Sequence, residues 1–169
     1  LEVDGDVYQF YMRDWAGVNP DNGMPMWYAN QDADDDSGAT PQPGDIYDNP
    51  LGGDRQVTSD YSVAKRVRMG SALPDVFGGF TNNFRYKNFD LNFYFYYSLG
   101  GQVYNNDYAT NMHDGSQVGY NLAADAIDAW TPNNRFTDVP RYVFSNTDQG
   151  SQLSSRFLED ASYLRLKNI

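Results

Sequence analysis

Few side chains in this sequence are spaced for chemistry. Asp32, Asp34 and Asp36 have the one-three-five spacing of a calcium loop. The pattern then stops, because Ser37 and Pro43 stand where an EF-hand needs glycine at the sixth position and glutamate at the twelfth. The three carboxylates are thus a candidate metal site with half its ligand pattern, and a solvated acidic loop is the simpler reading. His113 is the sole histidine and sits in a loop rich in Gly, Asp and Asn. Acid–base or nucleophilic work would need a nucleophile or an orienting acid beside it, and the sequence places neither, so it reads as a solvated loop side chain. Glu159 and Asp160 are adjacent. On a strand they point to opposite faces, so they do not form an acid/base pair. No phosphate-cradling loop, Ser-His-Asp arrangement or metal-binding helix motif is visible. The sequence therefore assigns no catalytic residue and reads as a non-enzyme.

What remains is recognition by aromatic surface. Aromatic residues make up 16% of the chain, with 14 Tyr and 10 Phe, although the mean hydropathy of −0.69 is clearly hydrophilic. Tyr and Trp present flat, amphipathic area that suits sugars and peptides. Trp27, Tyr28, Tyr108, Tyr120 and Trp130, together with Tyr47 and Tyr142, lie in loop-like segments and are the candidates for contact with a ligand or partner. Lys plus Arg is 12 and Asp plus Glu is 23, a net charge of 12 − 23 = −11, which argues against a nucleic-acid partner. There are no cysteines, hence no disulfide frame or thiolate metal site. No run approaches the ~20 apolar residues of a membrane helix.

The elements that must position these residues are strands. Residues 89–99 read Phe-Asp-Leu-Asn-Phe-Tyr-Phe-Tyr-Tyr-Ser-Leu. Every second residue from Phe89 is apolar or aromatic: Phe89, Leu91, Phe93, Phe95, Tyr97, Leu99. The other register, Asp90, Asn92, Tyr94, Tyr96, Ser98, has no aliphatic member. Such alternation predicts a strand with one greasy and one polar face. A second strand is expected over about 76–85, with Phe80 and Phe84 on one side and Thr81, Asn83 and Arg85 on the other. The turn at Tyr86-Lys87-Asn88 makes the two a hairpin. Further strands are expected at about 7–16 and 156–169, with a short one over Met24–Tyr28, a short helical turn within 59–69, and a helix over Leu122–Trp130 carrying Leu122, Ala126, Ile127 and Trp130 at helical spacing. Long loops fill about 17–72 and 102–155, rich in Asp, Pro and Gly. One short turn flanked by very long loops, with ten-residue strands, is the layout of an outer-membrane β-barrel. Four strands cannot close one, and both ends read as cuts through a longer sequence. Residues 1–169 are accordingly expected to be a partial barrel region.

Specific runs sharpen this. Leu73-Pro74-Asp75-Val76-Phe77-Gly78-Gly79-Phe80 followed by Tyr86-Lys87-Asn88-Phe89-Asp90-Leu91 resembles a hallmark of the SusC/RagA family, the TonB-dependent outer-membrane transporters of Bacteroidetes. Trp15-Ala16-Gly17-Val18-Asn19-Pro20-Asp21-Asn22-Gly23, Trp130-Thr131-Pro132 with Val139-Pro140-Arg141, and Ser155 to Ile169 resemble further segments of that family in the same order. The resemblance implies an all-β fold, the C-terminal part of a barrel of roughly 22 strands with a plugged lumen. It implies an outer-membrane location and import of glycan or peptide nutrients. The implied partners are a SusD-like surface lipoprotein, TonB (reached through a part not in this sequence), and membrane lipid. No cofactor is implied, and no ion site is carried over to Gly52-Gly53-Asp54-Arg55, where the chain departs from the family's pattern. Under this reading Phe84, Phe89, Leu91, Phe93, Phe95, Tyr97 and Leu99 face lipid, while Asn83, Arg85, Asn92, Tyr94 and Tyr96 face the lumen. The alternative is a secreted all-β glycan-binding module, with the aromatic face as its core and the Asp-rich loop holding calcium.

Overall fold

The computed structural model describes residues 7–30 and 39–168. Asp32, Asp34 and Asp36 lie outside the described residues. The chain is all-β, in the order β1 (Gln9–Arg13), β2 (Trp15–Val18), β3 (Pro25–Tyr28), β4 (Val57–Thr58), β5 (Arg66–Ser71), β6 (Val76–Tyr86), β7 (Phe89–Leu99) and β8 (Gln102–Tyr104). Helix α1 (Asn106–Asn111) and 3₁₀ turns at Ala124–Asp128 and Ser155–Phe157 precede β9 (Leu158–Asp160) and β10 (Tyr163–Asn168). β1 pairs with β5 and β8 with β9; β3 lies between β2 and β4, and β7 between β10 and β6. The described residues fall into two units: 7–10, 69–104 and 158–168 in one, 11–30, 39–68 and 105–157 in the other.

The first unit is dominated by the sheet β10-β7-β6. β6 and β7 pair antiparallel without a slip from Val76↔Leu99 to Tyr86↔Phe89. The turn is therefore only Lys87-Asn88, one residue tighter than the sequence suggests, and Lys87 takes a positive φ of 51° to make it. Two-residue hairpins need this left-handed twist, which usually falls to Gly or Asn. At the far end Gly100 has φ +87°, and a Cβ there would run into the Asp75 carboxylate. That glycine ends β7. The strand expected over 156–169 is broken at the same end: Asp160 accepts the Ser162 N–H at 2.8 Å, and Ser162 Oγ accepts the Gly100 N–H at 3.0 Å. This side-chain turn competes with the ladder and divides the segment into β9 and β10.

The second unit was expected to be mostly long loop, and the short strand read over Met24–Tyr28 is β3. The unit in fact holds the core. Met12, Val18, Met26, Trp27, Val57, Val63, Ala64, Met112 and Phe157 are all buried. β3 is buried along both faces, Pro25-Met26-Trp27 without interruption, and β2 and β4 pair with its two edges. The stretch read as one strand over 7–16 is interrupted at Asp14, whose backbone bonds to Lys65 and Tyr28. The helical turn read within 59–69 gives way to β5 over its second half. Over Leu122–Trp130 only a 3₁₀ turn forms. Ile127 is 87% exposed, so the apolar spacing there has nothing to pack against. The helix that does form, α1, begins where Asn105 Oδ1 accepts the Tyr108 N–H at 3.0 Å.

Candidate functional site

The alternation of β7 dictates the geometry of its sheet. Register brings Phe80 opposite Phe95, Phe84 opposite Leu91, and Tyr86 opposite Phe89, while Leu164 and Leu166 of β10 stand opposite Tyr97 and Phe95. One face is thus apolar across three strands. Phe80 stacks on Phe95 at 5.1 Å, Phe84 on Phe93 at 5.8 Å, and Phe93 meets Phe95 edge-on at 5.6 Å. Such pairs contribute ~0.5–1.5 kcal/mol each beyond burial. Yet the face is uncovered: Phe89 is 79% and Phe84 58% exposed, and Leu164 and Leu91 are exposed too. Patches of this extent are rare on soluble monomers. The alternative of a secreted module needs this face as its core, and among the described residues it stays exposed.

The other face carries Thr81, Asn83, Arg85, Asp90, Asn92, Tyr94, Tyr96 and Ser98 from β6 and β7. Asn83 stands directly opposite Asn92, and Arg85 opposite Asp90, with an ion pair of 3.2 Å. Glycines let the tyrosines lie flat on the neighbouring strand: a Cβ at Gly79 would strike the Tyr94 ring, and one at Gly78 the Tyr97 ring. The residues read as facing lipid and those read as facing the lumen are therefore held on two opposite faces of one sheet. Each strand has 11 residues. At ~3.4 Å per residue that is ~37 Å of strand, or ~26 Å of height at ~45° tilt, close to the ~25 Å apolar band of such barrels.

The aromatic candidates of the loops separate by exposure. Trp27 is fully buried, edge-on to Trp15 at 5.7 Å and to Tyr61 at 5.3 Å, so it packs the core and presents nothing to a ligand. Trp130 is half-buried and donates its indole N–H to Pro20 O at 3.1 Å. Tyr28 lies beneath the Arg55 guanidinium at 3.5 Å. Tyr108 donates to Asp125 at 2.7 Å and meets Phe157 edge-on. Tyr47 is tied to Ser59, while Tyr142 is exposed. Tyr120, 70% exposed, is the most open of the group.

His113 is not solvated. It is buried, with Nδ1 accepting the Gly115 N–H at 3.3 Å and its ring 6.4 Å from that of Tyr142. Asp114 beside it accepts the Gly150 N–H at 3.0 Å, and Arg156 donates to Gly150 O at 2.9 Å. Arg156 lies between the rings of Trp15 and Phe157, at 5.0 and 4.9 Å. Burial lowers its pKa to about 10, opposed by Tyr108, Asp114 and Asp138, so it keeps its charge at neutral pH. Burial likewise raises the Tyr61 hydroxyl, which donates to Leu153 O at 2.8 Å. These groups fasten loop to loop and place no nucleophile beside a base. Among the described residues no group of three or more His, Cys, Asp or Glu is arranged to hold a metal. Among them, too, no helix is long and apolar enough to cross a membrane, which leaves strands untouched.

Sequence reasoning missed the packed core of the second unit. The signal available was Trp15 and Trp27 within a short, turn-bounded stretch, which reads equally as surface aromatic or as core.

No family model matches the chain. It is 35% identical over 163 residues to TonB-dependent receptor P3 of Formosa agariphila, covering 96% of this chain and 14% of that protein. TonB-dependent receptor P26 of the same organism is 35% identical over 117 residues, 69% of this chain and 11% of that one. Among solved structures, that of the RagAB peptide transporter matches with a TM-score of 0.70 at 30% identity, over 94% of this chain and 15% of that one. The RagAB peptide importer in its open-open state gives 0.68 at 27% identity, over 98% and 17%. The chain thus spans about one-seventh of the length of the first curated relative.

Proposed function

The chain belongs to the TonB-dependent receptors of the SusC/RagA type, proteins of the bacterial outer membrane, and from that premise we propose that it is a stretch of barrel wall with attached loops in a nutrient importer. The two-faced sheet carries this reading. Its apolar face, with Phe84, Phe89, Leu91, Phe93, Phe95, Tyr97 and Leu99, meets lipid. Its polar face, with Asn83, Arg85, Asn92, Tyr94 and Tyr96, borders the lumen. The exposed aromatics and the strand length support that assignment.

The transported substrate is an oligopeptide or oligosaccharide. The likeness to a peptide transporter supports the former, and the exposed loop tyrosines Tyr120 and Tyr142 suit both. A SusD-like lipoprotein covers the loops, and TonB drives import through a part of the transporter outside this chain. No bond is made or broken here, so none of these residues is catalytic. Uptake of labelled oligopeptides and oligosaccharides by cells with and without the transporter tests the reading. Uptake should fall to background when either the gene or TonB is removed. Unchanged uptake in both strains would overturn it.

A further inference from the structure

On the polar face of β10 and β7, four side chains gather in a way that wall-building does not require. The Arg165 guanidinium stands 5.2 Å from the centre of the Tyr163 ring, and the Lys167 ammonium 5.6 Å from that of Tyr96. The two rings are 6.0 Å apart. Arg165 stands directly opposite Tyr96 in the ladder, so the group is a single cross-strand cluster. Among the described residues neither cation pairs with a carboxylate. Arg55, Arg85, Arg135 and Arg141 pair with Asp14, Asp90, Asp21 and Asp148 respectively.

Cation–π contact is worth ~0.5–1 kcal/mol at an exposed site and fixes where the charge sits. It leaves the N–H donors of Arg and Lys free for an acceptor. Residues two apart on a strand are ~7 Å apart, so the two charges can reach one carboxylate or neighbouring ones on an oligomer. Tyr rings beside them offer flat surface to a sugar or peptide. Next to the cluster, an open depression of about 580 Å³ is lined by Thr81, Asn83, Asn92, Phe93, Tyr94 and Asn168, all uncharged and all but Phe93 able to hydrogen-bond through their side chains. Charged and neutral donors therefore adjoin along one face.

We propose that Tyr96, Tyr163, Arg165 and Lys167 form a binding site for the carboxylate groups of an acidic oligomer on its way through the transporter. This rests on the import reading above. Arg165 and Lys167 take the carboxylates, Tyr96 and Tyr163 hold the two cations and flank the chain, and the amide-lined depression receives its neutral portion.

The test uses the full-length transporter in cells with the double variant Arg165→Gln/Lys167→Gln, and a control, Arg165→Lys/Lys167→Arg, that keeps both charges. Uptake is compared for length-matched pairs: a Glu-rich against a Gln-rich peptide, and a uronate-containing against a neutral oligosaccharide. Loss of two charge-assisted hydrogen bonds should lower uptake of the acidic member by about ten-fold or more. The neutral member should change less than about two-fold, and the control should keep acidic uptake within a few-fold. The pair that shows the loss identifies whether the carboxylate comes from peptide or sugar. Equal loss for acidic and neutral members, at unchanged outer-membrane abundance, would mean that the cations brace another part of the transporter and would overturn the site. So would no loss at all. Uptake of neither pair by the unaltered transporter would overturn the import reading itself, and the site with it.

Discussion

The sheet β10-β7-β6 and the unit built from residues 11–68 and 105–157 use the same aromatic residues in opposite ways. In the sheet, Phe80, Phe84, Phe93 and Phe95 stack on one another across strands and remain open on their outer side. In the other unit Trp27 and Phe157 are completely enclosed, and Arg13, Tyr61 and Arg156 close the gaps around them. The proposed wall accounts for the difference by the solvent each face meets. Burial from water drives the second unit together. Lipid tails are as apolar as a leucine side chain, so a wall gains nothing by hiding its phenylalanines from them.

Truncations should show that contrast most strongly. Trp27→Ala empties a closed site and should cost ~3–5 kcal/mol. Phe84→Ala trades protein–lipid for lipid–lipid contact and loses only its stack on Phe93, and should cost ~0.5–1.5 kcal/mol. Denaturant unfolding of the full-length transporter in bilayers, followed separately for loops and barrel, measures both. A Phe84 cost equal to that of Trp27 would erase the distinction. Within the sheet, Phe95→Arg should cost ~2–4 kcal/mol and Tyr94→Arg about a quarter of that, because only one places a guanidinium in hydrocarbon. Outer-membrane abundance and unfolding midpoints read the pair. Equal costs would mean that the faces are not distinct.

Smaller effects bear on how each end of the wall is closed. Lys87→Gly relieves the positive φ of the hairpin and should stabilise by about 1 kcal/mol in the same unfolding assay. At the other end, the hydroxyl and N–H of Ser162 hold the Asp160 carboxyl below the usual carboxylate range. Removing the hydroxyl in Ser162→Ala should move it back up. Its folded value lies below its unfolded value, so this contact contributes in the pH range above the unfolded value and is lost as pH falls through the folded one. A titration followed by NMR at Asp160, compared with Ser162→Ala, reads the shift. No shift on substitution would remove Ser162 as the cause.

β7 is legible in the sequence because strict period-two alternation over Phe89–Leu99 has no competing reading, and its partner β6 follows from the short turn. The core of the second unit is not legible, for physical reasons. β3 reads as a short strand, but it is enclosed on both faces and shows no alternation that would mark it as core, and β4 has only two residues. α1 buries only Ala109, leaving no helical stripe to detect. The helix read over Leu122–Trp130 shows the opposite failure: Leu122 and Ile127 of its stripe stay exposed, and only Ala126 and Trp130 are half-buried. For the same reason Trp27 reads as a ligand contact and His113 as a solvated side chain: exposure is set by tertiary packing that one sequence does not display. The cluster of Tyr96, Tyr163, Arg165 and Lys167 is half legible. The alternation places the last three on one side of their strand, but only the register brings Tyr96 to them.

The two-faced wall can be tested along a single strand. Residues 89–99 contain no cysteine, so once any cysteine elsewhere in the full-length protein is replaced, spin labels can be placed one at a time along this strand in lipid bilayers. Oxygen, which concentrates in hydrocarbon, should relax labels at Phe89, Leu91, Phe93, Phe95, Tyr97 and Leu99 and spare those at Asp90, Asn92, Tyr94, Tyr96 and Ser98. A two-residue period in that phase is the predicted result. Uniform accessibility, or alternation in the opposite phase, would contradict a wall that turns its aromatic face to lipid.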